Sequence, residues 1–222
     1  AGAGDPGGPV SGGALGYYGY DLGRAAARLP EAKPGTRPFM PEAAVGLYAW
    51  TVVIDHAERR AALTSLDSLP DAEAEAIRGR LLAGEPPARE PFRVTGEIAS
   101  SLERDAYLPR AARILGYIRE GDTYQVNLTR EFRLAYRGDA WEFYRHLHDT
   151  NPAPMGAFLE YPFGAVLSSS PERLVTVEAG EAATQPIKGT RRRRADPAED
   201  ARARAELAAS AKDRAENVMI VD

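Results

Sequence analysis

The sequence has no cysteine among its 222 residues, which excludes disulfides, thiolate metal sites and cysteine nucleophiles. Histidine is scarce too, with three in the chain. His56 falls at the polar end of an apolar run, where a turn residue is expected. His146 and His148 are two apart, on different sides of any helix that carries them, so they do not form a helical metal pair. No stretch approaches the roughly 18 consecutive apolar residues of a membrane-spanning helix, and the Gly/Pro-rich lead over residues 1–13 carries no signal-peptide pattern. A large charge of either sign is also missing: the net charge is −4. The basic run Arg191–Arg194 is local, is followed by Asp196, Glu199 and Asp200, and has no aromatic residues interleaved. Neither nucleic acid nor a membrane is therefore expected as a partner, and a cytoplasmic location fits.

What is present is an ordinary globular composition, 44% apolar and 27% charged, long enough to bury a core in one large or two small domains. Gly12–Gly23 interleaves glycines with Tyr17, Tyr18 and Tyr20, and reads either as a tightly packed strand and turn or as the wall of a small-molecule pocket. Arg28–Pro41, with four prolines, is a loop. Val45–Ile54 is β-branched and aromatic, a buried strand by pattern, with Ala61–Leu66 as its hairpin partner. Asp71–Leu82 has helical periodicity with Asp71 as N-cap. Gly84–Pro91 is the best linker, and divides the chain into an N-terminal sub-domain over residues 1–90 and a second region over 91–222.

Beyond the linker, Ser100-x-x-Glu103 has the form of a capping box before a helix that stops at Gly121, with Pro109 in conflict with an unbroken start. Thr123–Leu134 alternates as a strand, with Gln125, Asn127 and Thr129 on the polar face. That face is solvated unless the sheet is covered on both sides, in which case Gln125 and Asn127 need partners. Asp139–His148 is a helix. Met155–Tyr161 and Ala165–Leu167 form a hairpin, and Arg173–Val177 with Ala182–Ile187 form another. Pro197–Ser210 is an alanine-rich helix.

The second hairpin matters most, because it can bring Glu172 of a Ser-Pro-Glu turn to Lys188, sixteen residues on. A lysine that attacks and an acid that protonates the leaving group suit a displacement reaction. Lys188 is the candidate nucleophile; the role requires a partly neutral amine, through burial or nearby positive charge. Asp213 and Glu216 lie at i and i+3, side by side on one helix face. They serve either surface salt bridges with Lys212 and Arg214 or half of a Mg²⁺ site, since that cation takes one or two carboxylates plus waters and an anionic substrate.

Five segments, GDTYQVNLTR from Gly121, NPAPMGAFL from Asn151, SSSPERLV from Ser168, TQPIKGTRRR from Thr184 and KDRAENVMIVD from Lys212, together resemble the chorismate-utilising enzymes in order and spacing. The likeness runs from about Gly12 to Asp222 and is nearest the branch that makes 4-amino-4-deoxychorismate. The resemblance implies an α+β fold, a sandwich of antiparallel β-sheets with helices packed outside, binding chorismate through Mg²⁺. It implies Glu172 as the acid that protonates the departing 4-hydroxyl, Thr190 with Gly189 and Gln125 at the substrate, and Glu216 as a Mg²⁺ ligand with Asp213 just behind it. Isochorismate- and salicylate-forming relatives carry a lysine base where this chain has Gln125, which favours ammonia over water as the incoming nucleophile. Anthranilate-forming members carry alanine where this chain has Lys188. Lys188 is accordingly expected to attack C2 of the ring, before ammonia from a glutaminase partner enters at C4. A bound-tryptophan pocket of the family involves positions matching Tyr18, Pro154 and Met155.

The family pattern also includes a C-terminal half with a second metal glutamate and an arginine for the substrate carboxylate. The chain is therefore expected to be a fragment, inactive by itself. Two other functions stand beside this one: anthranilate formation with Lys188 passive, and a non-catalytic, tryptophan-binding or regulatory relative. Nucleic-acid binding through Arg191–Arg194 ranks last.

Overall fold

The computed structural model describes residues 11–30, 40–84 and 86–221. The first ten residues, most of the proline-rich loop expected over Arg28–Pro41 and Glu85 of the linker lie outside them. The chain divides into two compact units, residues 1–88 with 159–164, and residues 89–158 with 165–222.

In the first unit, Gly13–Tyr18 (β1) is followed by a 3-10 turn at Tyr20–Leu22 and a short helix, Gly23–Ala26 (α1). β1 pairs antiparallel with Ala43–Tyr48 (β2), from Gly13 opposite Tyr48 to Tyr18 opposite Ala43. A β-carbon on Gly16 would lie 2.0 Å from the Ala44 carbonyl oxygen, so this pairing needs a glycine there. Trp50–Asp55 (β3) and Arg60–Ser65 (β4) form the expected hairpin, and Asp55 Oδ1 closes its turn by accepting the Ala57 and Glu58 N–H groups, each at 2.9 Å. His56 lies in that turn. The single buried strand expected over Val45–Ile54 is instead two strands, broken by a bend at Ala49 and paired to different neighbours. Nor is it buried, for Leu47 is 86% exposed. Asp71–Ala83 (α2) follows, with Pro70 at the N-cap rather than Asp71, which occupies the first helical turn. Ile77 on α2 is buried.

In the second unit, the pairs Arg93–Val94 (β5) and Ala99–Ser100 (β6) precede a long helix, Arg104–Glu120 (α3). The capping box does not form. Glu103 is the N-cap, with no side-chain cap bond, and Ser100 Oγ is engaged with Leu102, donating to its carbonyl at 3.0 Å and accepting its N–H at 3.2 Å. Pro109 sits inside α3, where its missing N–H leaves one carbonyl of the first turn without its helical partner. Gly121 ends the helix at φ +84°, with the Asp122 N–H reaching back to the Tyr117 carbonyl at 3.0 Å.

The strand expected over Thr123–Leu134 forms only at Phe132–Arg133 (β7), opposite β6; Tyr136–Arg137 (β8) pairs with β5. Alternation prepares one face of a strand, but a ladder also needs a neighbour: Glu131 meets Ser101, while residues 123–130 form no strand pairing among the described residues. The helix expected over Asp139–His148 is Ala140–Thr150 (α4), with Asp139 as its cap: Asp139 Oδ1 accepts the Trp141 N–H at 2.7 Å, while Arg89 donates to Oδ2 at 2.7 Å. Trp141 and Tyr144 from this helix meet Phe158, with centroids 5.1 and 5.7 Å away. His146 and His148 are exposed.

Met155–Tyr161 (β9) and Gly164–Ser170 (β10) make the expected hairpin, as do Arg173–Glu178 (β11) and Glu181–Gln185 (β12). Pro197–Ala209 (α5) starts with Asp196 Oδ1 accepting the Glu199 N–H at 2.8 Å and Pro197 in the first turn, and Ala211–Val221 (α6) completes the described chain. No helix among the described residues is long and apolar enough to cross a membrane.

The fold is thus a mixture of helices and antiparallel strand pairs. Among the described residues only Ile77 and Leu102 are buried apolar side chains. Leu174 and Val177 on β11 are 84% and 71% exposed, and Val218 on α6 is 60% exposed. Covering such a side chain is worth about 1.5–3 kcal/mol, so these faces are large reserves of unused burial.

Candidate active site

The β11–β12 hairpin sets the geometry. Arg173 opposes Gln185, so the residue before β11 and the residues after β12 emerge from the same end of the hairpin. Glu172 is held there by its own turn, in which Ser170 Oγ donates to the Glu172 carbonyl at 3.2 Å. Its side chain reaches across: Oε1 accepts the Ile187 N–H at 3.0 Å and lies 3.9 Å from Lys188 Nζ. One carboxylate oxygen therefore fixes the backbone before Lys188 and faces its amine. The Lys188 side chain is 18% exposed and that of Glu172 is 37% exposed. A pair this open to water adds about 0–1 kcal/mol to stability, so its significance is its geometry.

The chain then turns at Gly189, with φ +75°, and packs on α5 and α6. A β-carbon there would sit 2.8 Å from Asp213 Cγ and 2.9 Å from Leu207 Cδ1. Gly189→Ala should combine left-handed backbone strain of about 1–3 kcal/mol with this collision. Its expected outcome is a lower melting temperature for the protein that carries this chain, with release of Lys188 from Glu172 seen as loss of protection of the Ile187 amide in hydrogen exchange. Unchanged protection there would count against the loop being fixed in this way.

Thr190 is exposed, and its carbonyl accepts Arg191 Nη1 at 2.9 Å. The guanidinium groups of two of the four arginines that follow are tied to acids, Arg191 to Asp213 Oδ2 at 3.3 Å and Arg193 to Asp200 Oδ2 at 2.9 Å, and the Arg194 N–H donates to Asp200 Oδ1 at 2.8 Å. The expected neighbours of Asp213 were Lys212 and Arg214; its ion pair is instead with Arg191, on the loop of Lys188. A hydrogen bond with the Ser210 side chain is the largest cause holding the Asp213 carboxyl below its ordinary 3.8, with Arg191 and Lys212 adding to it and partial burial opposing. A carboxyl lowered in the folded state stabilises the fold above its unfolded pKa, and that contribution is lost as pH falls through the folded value. Acid titration of the protein that carries this chain should therefore show a loss of stability below about pH 3.8 that is shallower in Asp213→Asn. Parallel curves would remove Asp213 from the acid response.

Glu216 is half-buried on α6, one turn beyond Asp213, and has no ion-pair or hydrogen-bond partner among the described residues. Those residues contain no group of three or more Asp, Glu, His or Cys side chains able to hold a metal ion. Gln125 is half-buried in the segment without regular structure before β7, where its carbonyl accepts Thr123 Oγ1 at 3.2 Å and its side chain makes no hydrogen bond among the described residues. Tyr18, at the end of β1, is 74% exposed. It belongs to the first unit, whereas Pro154 and the half-buried Met155 belong to the second. Lys188, Glu172, Gly189, Thr190 and Asp213 are thus brought together at one hairpin end, with Glu216 on the adjoining helix.

Sequence comparison matches residues 2–222 to a family described as chorismate binding enzyme. The chain belongs to this family. Among curated members, aminodeoxychorismate synthase component 1 of Klebsiella aerogenes is 43% identical over 214 residues, covering 96% of this chain and 46% of the relative. Anthranilate synthase component 1 of Streptomyces coelicolor is 37% identical over 235 residues, covering 96% of this chain and 45% of the relative. The crystal structure of anthranilate synthase component I from Streptococcus pneumoniae TIGR4 superimposes with a TM-score of 0.78 at 23% identity, over 96% of this chain and 49% of that one, and shows the shared fold. This chorismate binding enzyme chain therefore spans about half the length of the relatives it matches.

Proposed function

We propose that the protein carrying this chain converts chorismate and ammonia to 4-amino-4-deoxychorismate, for 4-aminobenzoate and folate synthesis, through a covalent adduct on Lys188. The observation that carries this is the approach of Lys188 Nζ to Glu172 Oε1, 3.9 Å apart at one hairpin end. Relatives named aminodeoxychorismate synthase, 41% to 43% identical, support it.

In this reading the neutral Lys188 amine bonds to C2 of the ring and the conjugated double bonds shift. The C4–O bond breaks, and Glu172 gives its proton to the departing hydroxyl, which leaves as water. Ammonia then bonds to C4, the double bonds shift back, the C2–N bond breaks, and Lys188 is released as an amine. Gln125 has no basic atom with which to activate water in competition. Thr190 and Gly189 border the ring.

Glu216, an unpartnered and half-buried carboxylate beside the Lys188 loop, suits one ligand of a Mg²⁺ that takes its other oxygens from water and substrate. Such a cation, when bound, would offset the charge of the substrate carboxylates. The antiparallel pairs would join into the sheets of a sandwich in the complete protein, with a glutaminase partner supplying ammonia in the cytoplasm.

The test is product identification by mass spectrometry with the full-length protein, chorismate, Mg²⁺ and ammonia. The expected product is 4-amino-4-deoxychorismate, with no turnover by the 222-residue chain alone. Anthranilate as sole product would overturn the assignment in favour of the second reading, which the 37% identity to an anthranilate synthase component favours. Lys188 would then be a passive replacement.

A further inference from the structure

We infer that Asp213 is a positioning residue for the Lys188 loop, acting through Arg191 and the Gly189 backbone rather than through a metal ion; this rests on the proposed role of Lys188. Three contacts converge on Asp213, two of them at its carboxyl group. Arg191 Nη2 meets Oδ2 at 3.3 Å while Nη1 of the same guanidinium donates to the Thr190 carbonyl at 2.9 Å, so one rigid fork joins the loop to α6. The peptide next to Lys188 presses on the same group, since Gly189 leaves no space for a β-carbon against Asp213 Cγ at 2.8 Å. From the other side, the Ser210 side chain accepts the Asp213 backbone N–H at 3.3 Å and fixes the start of α6.

The Asp213 side chain is 11% exposed, less than that of any other residue in an ion pair at this hairpin end. Lys188 is thus held from two directions. Glu172 fixes the backbone on its N-terminal side through the Ile187 N–H, and Asp213 fixes it on the C-terminal side. Because Glu216 is one turn further along α6, the same joint sets the distance between the attacking amine and the carboxylate assigned to the cation. A displaced nucleophile costs on the order of 10²-fold in rate even where every reacting group is still present.

The experiment compares Asp213→Asn, Arg191→Gln and the double variant in the full-length protein. Both single variants should lower kcat by about 10²-fold, leave KM for chorismate within about threefold, and reduce the fraction of Lys188 adduct trapped without ammonia. The double variant should be no worse than either single one, because both remove one shared contact. The Mg²⁺ concentration for half-maximal activity should stay within about twofold, and the Thr190 and Arg191 amides should exchange faster in all three. A Mg²⁺ requirement raised about tenfold by Asp213→Asn alone, or multiplicative losses in the double variant, would overturn the inference. If the unaltered protein makes only anthranilate and forms no adduct, the functional assignment fails instead. The double-variant comparison, read on chorismate consumption, and the amide exchange then still decide whether Asp213 anchors the loop.

Discussion

Lys188→Ala in the full-length protein is expected to abolish formation of 4-amino-4-deoxychorismate and of any lysine-linked adduct, with a rate loss of about 10³-fold or more. Lys188→Arg should fail nearly as completely, and this makes the test sharp. Arginine keeps a positive charge for Glu172 and comparable stem packing, but its guanidinium is not deprotonated in proteins and has no lone pair to offer C2. If the residue served only the 3.9 Å ion pair with Glu172, arginine would restore function. A partly exposed pair of that kind contributes about 0–1 kcal/mol, so neither variant should lower the melting temperature by more than a few degrees. Mass spectrometry after incubation with chorismate and no ammonia supplies the second readout. Full activity in Lys188→Arg, or an adduct that persists in Lys188→Ala, would remove Lys188 from the reaction.

Much of this neighbourhood was legible in the sequence because it depends on local hairpin geometry. Once Arg173–Glu178 and Glu181–Gln185 are strands joined by a tight turn, Glu172 and Lys188 must emerge together, and the register places Arg173 opposite Gln185. The helix after Asp139 and the stop at Gly121 were legible for the same reason: helical spacing and a left-handed glycine act on residues close by in the chain.

Several of the failures involve partners distant in the chain; the capping box failed locally. Alternation over Thr123–Leu134 fixed a period but no neighbouring strand, and only Phe132–Arg133 pairs there. The apolar run Val45–Ile54 concealed a bend at Ala49, because nothing in the side-chain pattern marks where a strand changes its partner. The Ser100-x-x-Glu103 spacing met the form of a capping box, yet Ser100 turned to Leu102. The spacing of Asp213 suggests either salt bridges to Lys212 and Arg214 or half of a cation site, and neither reading includes its ion pair with Arg191, 22 residues earlier. A glycine at position 189 was the one local clue, since it permits that close approach.

Glu172→Gln should lower kcat for chorismate by about 10²–10⁴-fold, the range expected for losing a general acid, while leaving the local fold in place. The amide oxygen of glutamine can still accept the Ile187 N–H that Glu172 Oε1 now accepts at 3.0 Å, so the loop entering Lys188 keeps its anchor. What glutamine cannot do is release a proton to the 4-hydroxyl as the C4–O bond breaks. It also removes the negative charge opposite Lys188 while leaving the lysine itself in place. The net loss therefore reports the acid function. Glu172→Asp is the complementary case, retaining the acid but shortening the reach to both Ile187 and Lys188, and should fall between glutamine and the unaltered protein. A chorismate analogue whose C4 substituent departs without protonation should recover adduct formation in Glu172→Gln but not in Lys188→Ala. A non-catalytic, regulatory protein would instead bind ligand normally and lose nothing in Glu172→Gln, and that result would sink the acid assignment.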